Sequence, residues 1–222
     1  MSAPLPRRRK PDRRDEILAA ARAVFLEHSF DHASVAEIAA RAGCVEGTIY
    51  TYFRSKRELL DAVLVAFYDR LIADVEAGFE AIDDTRARLN YLISRHLRIA
   101  IDDPAFARLI VRESRGHRPY FGSQLHALNR RYGQFLVRTL RDGIGRGELR
   151  ADLDVALARD LVFGGLEHHV WDRLGRRGRL VPARTAAAIV DLLWDGWSVP
   201  ARDDLRQLAQ RVQRLERRFE ST

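Results

Sequence analysis

The apolar positions of this chain recur at threes and fours almost throughout, the period of an α-helix and not the alternation of a strand. Ile17, Leu18, Ala21, Val24 and Phe25 share one face of a helix expected to run to about His28, with Asp12 at its cap position and Phe30 closing the core behind it. Ser34 and Glu37 then form a capping box, Val35, Ile38, Ala39 and Ala42 recur at helical spacing, and Gly43 suits the left-handed stop that follows. A second short helix is predicted from about Glu46 to Tyr52, with Ile49 and Phe53 inward. Ser55 and Glu58 make another capping box and open a much longer helix over residues 56–82. Leu60, Val63 or Leu64, Phe67, Leu71, Val75 and Phe79 are its apolar stripe, it holds no proline, and Gly78 is its weak point. A helix of roughly 27 residues is about 40 Å long, longer than a small domain is wide. It is expected to join two bodies and to act as a lever between them.

Behind it the pattern predicts helices only, so the fold class is all-α. Residues 83–85 start a helix with Leu89, Leu92, Ile93, Leu97 and Ile101 on one face; Asp102-Asp103-Pro104 ends it and begins another with Phe106, Leu109 and Ile110 inward. Residues 115–123 suit a loop or a broken helix, and the next helix carries Leu125, Leu128, Tyr132, Phe135, Leu136 and Leu140 before Gly143, Gly145 and Gly147. Residues 152–174 and 185–199 are apolar on broad faces, and the first of these holds the pair Gly164-Gly165, which a close helix approach would offset. Leu205, Leu208, Val212, Leu215 and Phe219 form an a/d stripe of about two heptads, short for a free coiled coil, and suit an amphipathic helix packed on its own or a partner subunit. The resulting division is a basic arm over 1–11, a helix-turn-helix unit over 12–58, a helical body over 59–200 and a C-terminal amphipathic helix over 201–222.

Two short helices joined by a tight Gly-containing turn, the second exposing small and polar side chains, is the pattern of a helix-turn-helix. On Ile38, Ala39, Ala42, Gly43, Gly47, Thr48, Tyr50, Tyr52, Phe53, Ser55, Lys56, Glu58 and Leu59 the chain resembles the TetR family of one-component bacterial regulators. Val45 departs from the family, which often has a capping Ser there. In the wording VEGTIYTYF, and more weakly in Tyr132, Gly143-Ile144, Gly147-Glu148, Leu153-Asp154, Ala158-Arg159, Phe163-Gly164 and Trp171, it is similar to the fatty-acid-degradation repressors that respond to long-chain acyl-CoA. The resemblance implies a homodimer on a near-palindromic double-stranded DNA operator and a small-molecule effector. A TetR-type repressor of an efflux or other operon, answering to a different hydrophobic molecule, is the alternative.

Composition adds to this in two places. A formal net charge of +7 favours an acidic partner, and Arg7, Arg8, Arg9 and Lys10 put part of that charge on a proline-rich arm directly before the DNA-reading motif. A single cysteine, Cys44, excludes an intramolecular disulfide and a cysteine-rich zinc site. No apolar run reaches the roughly 20 residues of a membrane span, and the first ten residues lack the apolar core of a secretory signal; a cytoplasmic protein with no membrane partner is expected.

Residue chemistry assigns expected roles. Gly47 lets the backbone approach a phosphate, Thr48 offers a hydroxyl and a methyl, Tyr52 reaches with a phenol, and Lys56 adds a point charge at a helix start. Ser34 and Tyr50 complete the expected DNA-binding set, Tyr50 suiting packing inside the motif equally well. An acyl tunnel is expected among Phe67, Leu71, Leu92, Phe106, Ile110, Tyr132, Phe135 and Phe163, with Arg112 and its neighbours Arg108, Arg115, Arg118, Arg130 and Arg131 for the phosphates of coenzyme A. Phe163, Leu166, Val170, Ile189, Leu193 and Trp197 are expected at the dimer interface, in an intermolecular four-helix bundle. Adjacent His168 and His169 point about 100° apart on a helix, so no metal is expected, nor any cofactor. An enzyme would need a placed nucleophile, metal set or phosphate-cradling loop, and none of those motifs occurs. A DNA-packaging protein would not need 160 or so residues of apolar helix behind the motif.

Overall fold

The computed structural model describes residues 12–115, 120–175 and 180–199. These residues form nine helices and no strand beyond one antiparallel bridge between Leu149 and Ser198. The basic arm, Arg118 and the C-terminal heptad stripe lie outside the described residues, as do the side chains of Arg115 and Arg173.

Helices α1 (Arg13–His32), α2 (Val35–Arg41) and α3 (Glu46–Tyr52) make the N-terminal unit. Their core is the expected one, with Ile17, Val24, Phe25, Ile38, Ile49 and Phe53 all buried. Asp12 occupies the cap position of α1 without a side-chain capping bond; its backbone carbonyl accepts from Asp15 and Glu16 N–H instead. The two capping boxes are half realised as drawn. Ser34 accepts from Glu37 N–H and Ser55 from Glu58 N–H, each at 3.1 Å, while the Glu58 carboxylate accepts from Arg54 N–H at 2.6 Å, one residue before the cap. Gly43, at φ 65°, makes the turn between α2 and α3 that a side chain would strain.

The regular helix of α1 ends at about the expected His28, where the backbone breaks at Ser29, and one further turn to His32 follows the kink. Ser29 sits at φ 62°, ψ 170°, a region that is essentially glycine's. The break turns Phe30 inward, where its ring lies 6.0 Å from that of Phe25 and under the Lys56 ammonium at 4.7 Å.

Helix α4 (Lys56–Phe79) is common to both units. Leu59, Leu60, Val63 and Leu64 near its start and Val75 and Phe79 at its end are buried in one continuous apolar cluster. It ends three residues before the expected 82 and is about 36 Å long. Gly78 is a fit to Tyr91: a Cβ there would meet the Tyr91 hydroxyl, which donates to the Val75 carbonyl at 3.1 Å, at 2.4 Å. Around α4 stand α5 (Thr85–Asp102), α6 (Pro104–Arg115), α7 (Gln124–Gly145), α8 (Val155–Gly175) and α9 (Pro182–Trp197). Helix α5 is the hub, packed on α4, α6, α7, α8 and α9. The ends of α8 and α9 differ from the expected bounds by one to three residues, the usual scatter of helix termini.

His96 on α5 stacks on Tyr132 at 5.9 Å and meets Phe163 edge-on at 5.5 Å. Its Nδ1 is buried with no hydrogen-bond partner, and burial lowers its pKa to about 4.

Two outcomes follow. Ser29→Gly relieves the backbone at a net gain of about 1 kcal/mol, after the larger unfolded-state entropy of glycine is subtracted; a thermal or urea midpoint that does not rise would contradict the strain. For His96, the unfolded pKa is about 6.5, so between that value and about 4 the unfolded chain holds more protons than the folded one. Stability therefore falls as pH drops through this window, with His96 accounting for at most about 2 kcal/mol at pH 5. His96→Phe keeps the stacked ring and should flatten that part of the pH dependence in urea titrations at pH 7.5 and 5.

Candidate functional site

The surface of α3 is what the motif requires. Ile49 and Phe53 face the core, while Tyr50 is 50% and Tyr52 41% exposed, with Thr48 half-buried beside them. Gly47 stands in the first turn with no protein atom within 4 Å of where a Cβ would be. The Thr51 hydroxyl, also on α3, is turned back onto the Gly47 carbonyl at 2.9 Å. Val45 precedes the helix without a side-chain cap, 73% exposed. Ser34 is exposed at the start of α2 and its oxygen already accepts a backbone N–H, which leaves its hydroxyl hydrogen to donate.

Lys56, expected to add a point charge at the start of α4, stands there and also has partners inside the unit. Its ammonium donates to the carbonyls of Ala33 at 2.9 Å and Asp31 at 3.4 Å and lies over the Phe30 ring. It ties the end of α1 to the start of α4, and one N–H remains for a phosphate. Arg41 is also committed, in a two-bond fork to Glu27 at 2.7 and 2.8 Å that holds the Glu27 carboxyl below its ordinary pKa. Glu27, His28 and Glu37 bring possible metal-ligand atoms within 4.8 Å of one another. Arg41 on Glu27, and His28 Nε2 at 2.9 Å from Glu37, make this an exposed network clamping α1 to α2. Sequence spacing gave no hint of it, since its members come from two helices.

Two ion pairs join this unit to the body. Arg22 of α1 bonds Asp103 at the α5–α6 corner, and Arg57 at the start of α4 reaches Glu113 of α6 at 2.6 Å. Asp61, one turn after Arg57 and 3.3 Å from its Nε, is half-buried, and that burial raises its pKa, Arg57 opposing.

The residues expected to line one tunnel divide between two places. Phe67 and Leu71 border an open cleft of about 760 Å³ between α1, α4 and α5. Leu92, Tyr132, Phe135 and Phe163 surround a crevice between α5, α7 and α8 with only about 10 Å³ of free space, no more than one water's worth. Phe106 is fully buried and stacked on Phe67 at 4.1 Å, Ile110 is half-buried, and Arg112 is exposed on α6. Of the arginines grouped with it, Arg131 is paired with Asp69 at 2.6 Å.

The residues expected at a dimer seam are mostly turned inward: Leu166, Val170 and Trp197 are buried in the subunit's own core, and Phe163, Ile189 and Leu193 are half-buried. Helix α8 is apolar on more than one side, so its pattern did not say which side faces out. The outward side carries Leu157 and Leu161, both 56% exposed, and Gly164 and Gly165 in open space; α9 presents Leu192 at 83%. Among the described residues no helix is long and apolar enough to cross a membrane.

Comparison with known proteins agrees with this architecture over nearly all of it. Residues 17–63 match the family model of bacterial regulatory proteins of the tetR family, and residues 82–197 that of a tetracyclin repressor-like C-terminal domain. The fatty acid metabolism regulator protein of Bacillus subtilis is 28% identical over 155 residues, 70% of this chain and 80% of that protein. The HTH-type transcriptional repressor KstR2 of Mycobacterium tuberculosis is 31% identical over 163 residues, 72% of this chain and 78% of its own length. The crystal structure of the regulator FadR from Bacillus subtilis in complex with stearoyl-CoA superposes with a TM-score of 0.75 at 26% identity, covering 82% of this chain and 98% of that one. These relatives are transcriptional regulators and not enzymes. With a DNA-reading unit and a helical effector-type body both matched, the chain belongs to the TetR family of ligand-responsive bacterial transcriptional regulators.

Proposed function

We propose that this protein is a repressor that leaves its operator when a long-chain acyl-CoA binds the helical body. The observation that carries this reading is the similarity, through the body as well as the DNA-reading unit, to a regulator solved with stearoyl-CoA. The apolar residues Phe67, Leu71, Leu92, Phe106, Ile110, Tyr132, Phe135 and Phe163 supply walls for a hydrocarbon tail, which enters from the cleft at Phe67 and Leu71. KstR2-type relatives, among them the ketosteroid transcriptional regulator KstR2 of Mycobacterium tuberculosis, favour a second reading in which the tail is a steroid-derived group.

Two copies bind a near-palindromic site, joined through the outward sides of α8 and α9. Leu157, Leu161 and Leu192 provide the apolar contact and Gly164-Gly165 the close approach, which none of the described residues uses. Each α3 enters a major groove, with half-sites about one helical turn or more apart. Gly47 admits the phosphate backbone, Thr48 and Tyr50 face the groove, Tyr52 and Lys56 take phosphates, and Ser34 donates from the start of α2. The ligand acts through its differing affinity for two arrangements of the α4 levers.

For DNA docking, Gly47→Val should abolish binding while the thermal midpoint stays within a few degrees of wild type, since the new side chain meets no protein atom within 4 Å of its Cβ. Tyr52→Phe should weaken binding several-fold on every duplex and leave the salt slope unchanged, since a neutral phenol displaces no counterion; unchanged affinity in anisotropy titrations would remove Tyr52 from the phosphate contacts. For the effector, an operator selected from random duplexes should be released by palmitoyl-CoA at micromolar concentration and not by palmitate or coenzyme A alone. Retention of DNA at saturating palmitoyl-CoA would end the acyl-CoA reading.

A further inference from the structure

The cleft between α1, α4 and α5 has an apolar floor of Leu18, Val63, Phe67, Leu71 and Ile99, and four arginines around it: Arg22, Arg70, Arg95 and Arg98. Outside the cleft, pairs such as Arg138–Glu80 at 2.5 Å and Arg86–Asp191 at 2.6 Å are closed. Within it Arg22 is closed on Asp103, but Arg95 and Arg98 are held more loosely. Arg95 stands 3.6 Å from Asp74 and Arg98 3.7 Å from Asp102, both beyond hydrogen-bond reach. The Arg95 Nε is buried and has no hydrogen-bond acceptor among the described residues. A buried guanidinium N–H with no acceptor is a destabilising feature that a bound anion would remove.

The rim also carries Asp15, Asp74, Asp102 and Asp103, as many carboxylates as guanidiniums. A bare anion therefore gains little from the average field. An anion that also lays a hydrocarbon tail on the floor gains from both, so the chemistry of the cleft selects an amphiphile with a phosphate or carboxylate head.

One of its walls is also a joint. Arg22 belongs to the DNA-reading unit, and its partner Asp103 to the body. Asp103 has a second role: its Oδ1 accepts from Phe106 N–H at 3.0 Å and so caps α6. If Arg22 leaves, Asp103 keeps that cap and the positive end of the α6 dipole, so no bare carboxylate is stranded. Arg22 lies 5.5 Å over the Phe106 ring, which is stacked on Phe67 of the cleft floor.

We propose that the cleft seats the anionic head of an amphiphilic effector on Arg95, and that the head draws Arg22 away from Asp103, so that filling the cleft unfastens the DNA-reading unit from the body. The inference rests on the acyl-CoA reading for the identity of the effector, whose phosphates are the head and whose chain is the tail.

The test is isothermal titration of full-length wild type, Arg95→Gln, Arg22→Gln, Asp103→Asn and the double variant with palmitoyl-CoA and with dodecyl phosphate, both below their micellar ranges. Arg141→Gln, at an exposed arginine outside the cleft, is the control, and thermal melts verify folding. Arg95→Gln should weaken palmitoyl-CoA at least tenfold while Arg141→Gln leaves it unchanged; equal binding by wild type and Arg95→Gln overturns the site. Asp103→Asn retains an amide oxygen to cap α6 and should bind several-fold tighter, because Arg22 is already released. That gain should vanish in the Arg22→Gln background, and a gain that persists there overturns the exchange. If wild type binds dodecyl phosphate but not palmitoyl-CoA, and Arg95→Gln loses that binding, the cleft stands and the acyl-CoA reading falls. If wild type binds neither, both fall.

Discussion

A single helix, α4, has to satisfy two cores at once. Its first two turns bury Leu59, Leu60, Val63 and Leu64 against the DNA-reading helices, and its last turns bury Val75 and Phe79 in the body. Both ends are therefore fixed by burial, and a rigid rod about 36 Å long cannot rotate at one end without moving at the other. Its start is fixed further: Ser55 caps it, Glu58 reaches back to Arg54 N–H, and Lys56 bonds the carbonyls that follow Phe30. Helix α3, only seven residues long and without a side-chain cap, would be marginal by itself. It holds its place because Ile49 and Phe53 are buried in the core and α2 packs beside it. That anchoring leaves Tyr50 and Tyr52 exposed and Thr48 half-buried.

Where local chemistry decided the outcome, the chain was legible. The capping serines, the Gly43 turn, the inward Ile49 and Phe53 and the length of α4 all follow from short-range patterns, and the structure has them. The left-handed conformation of Ser29, just past the expected helix end at His28, was not legible because the residue type that signals such a break is glycine. The second tie made by Lys56 was not legible for another reason: its partners are carbonyls more than twenty residues earlier, and backbone carbonyls leave no trace in a sequence.

The body shows the same limit more broadly. Helices α8 and α9 have enough apolar residues to cover more than one face, so periodicity marked them as doubly engaged but did not assign Leu166 to the inside and Leu161 to the outside. The expected tail-lining residues are all apolar and near the centre, yet they divide between an open cleft and a closed crevice, because which helices are adjacent is settled by packing across the chain. Arg22, Arg57, Asp103 and Glu113 were invisible as a set; their separations of 81 and 56 residues within each pair place them together only in three dimensions.

Those two pairs also bound how strongly the units can be coupled through charge. The side chains of Arg22 and Asp103 are 36% and 23% exposed, and those of Arg57 and Glu113 28% and 14%. Partly exposed pairs of this kind contribute about 1 kcal/mol each. Breaking both would shift the balance between fastened and unfastened arrangements by about 2 kcal/mol, within the range of ordinary allosteric coupling. A ligand that also changed the packing of Phe67 and Phe106 would add to this, since their stack lies between the cleft and the α6 strut. The joint is thus weak enough for a ligand to open and strong enough to matter, whereas a wholly apolar joint would resist a small molecule and a wholly solvated one would transmit nothing.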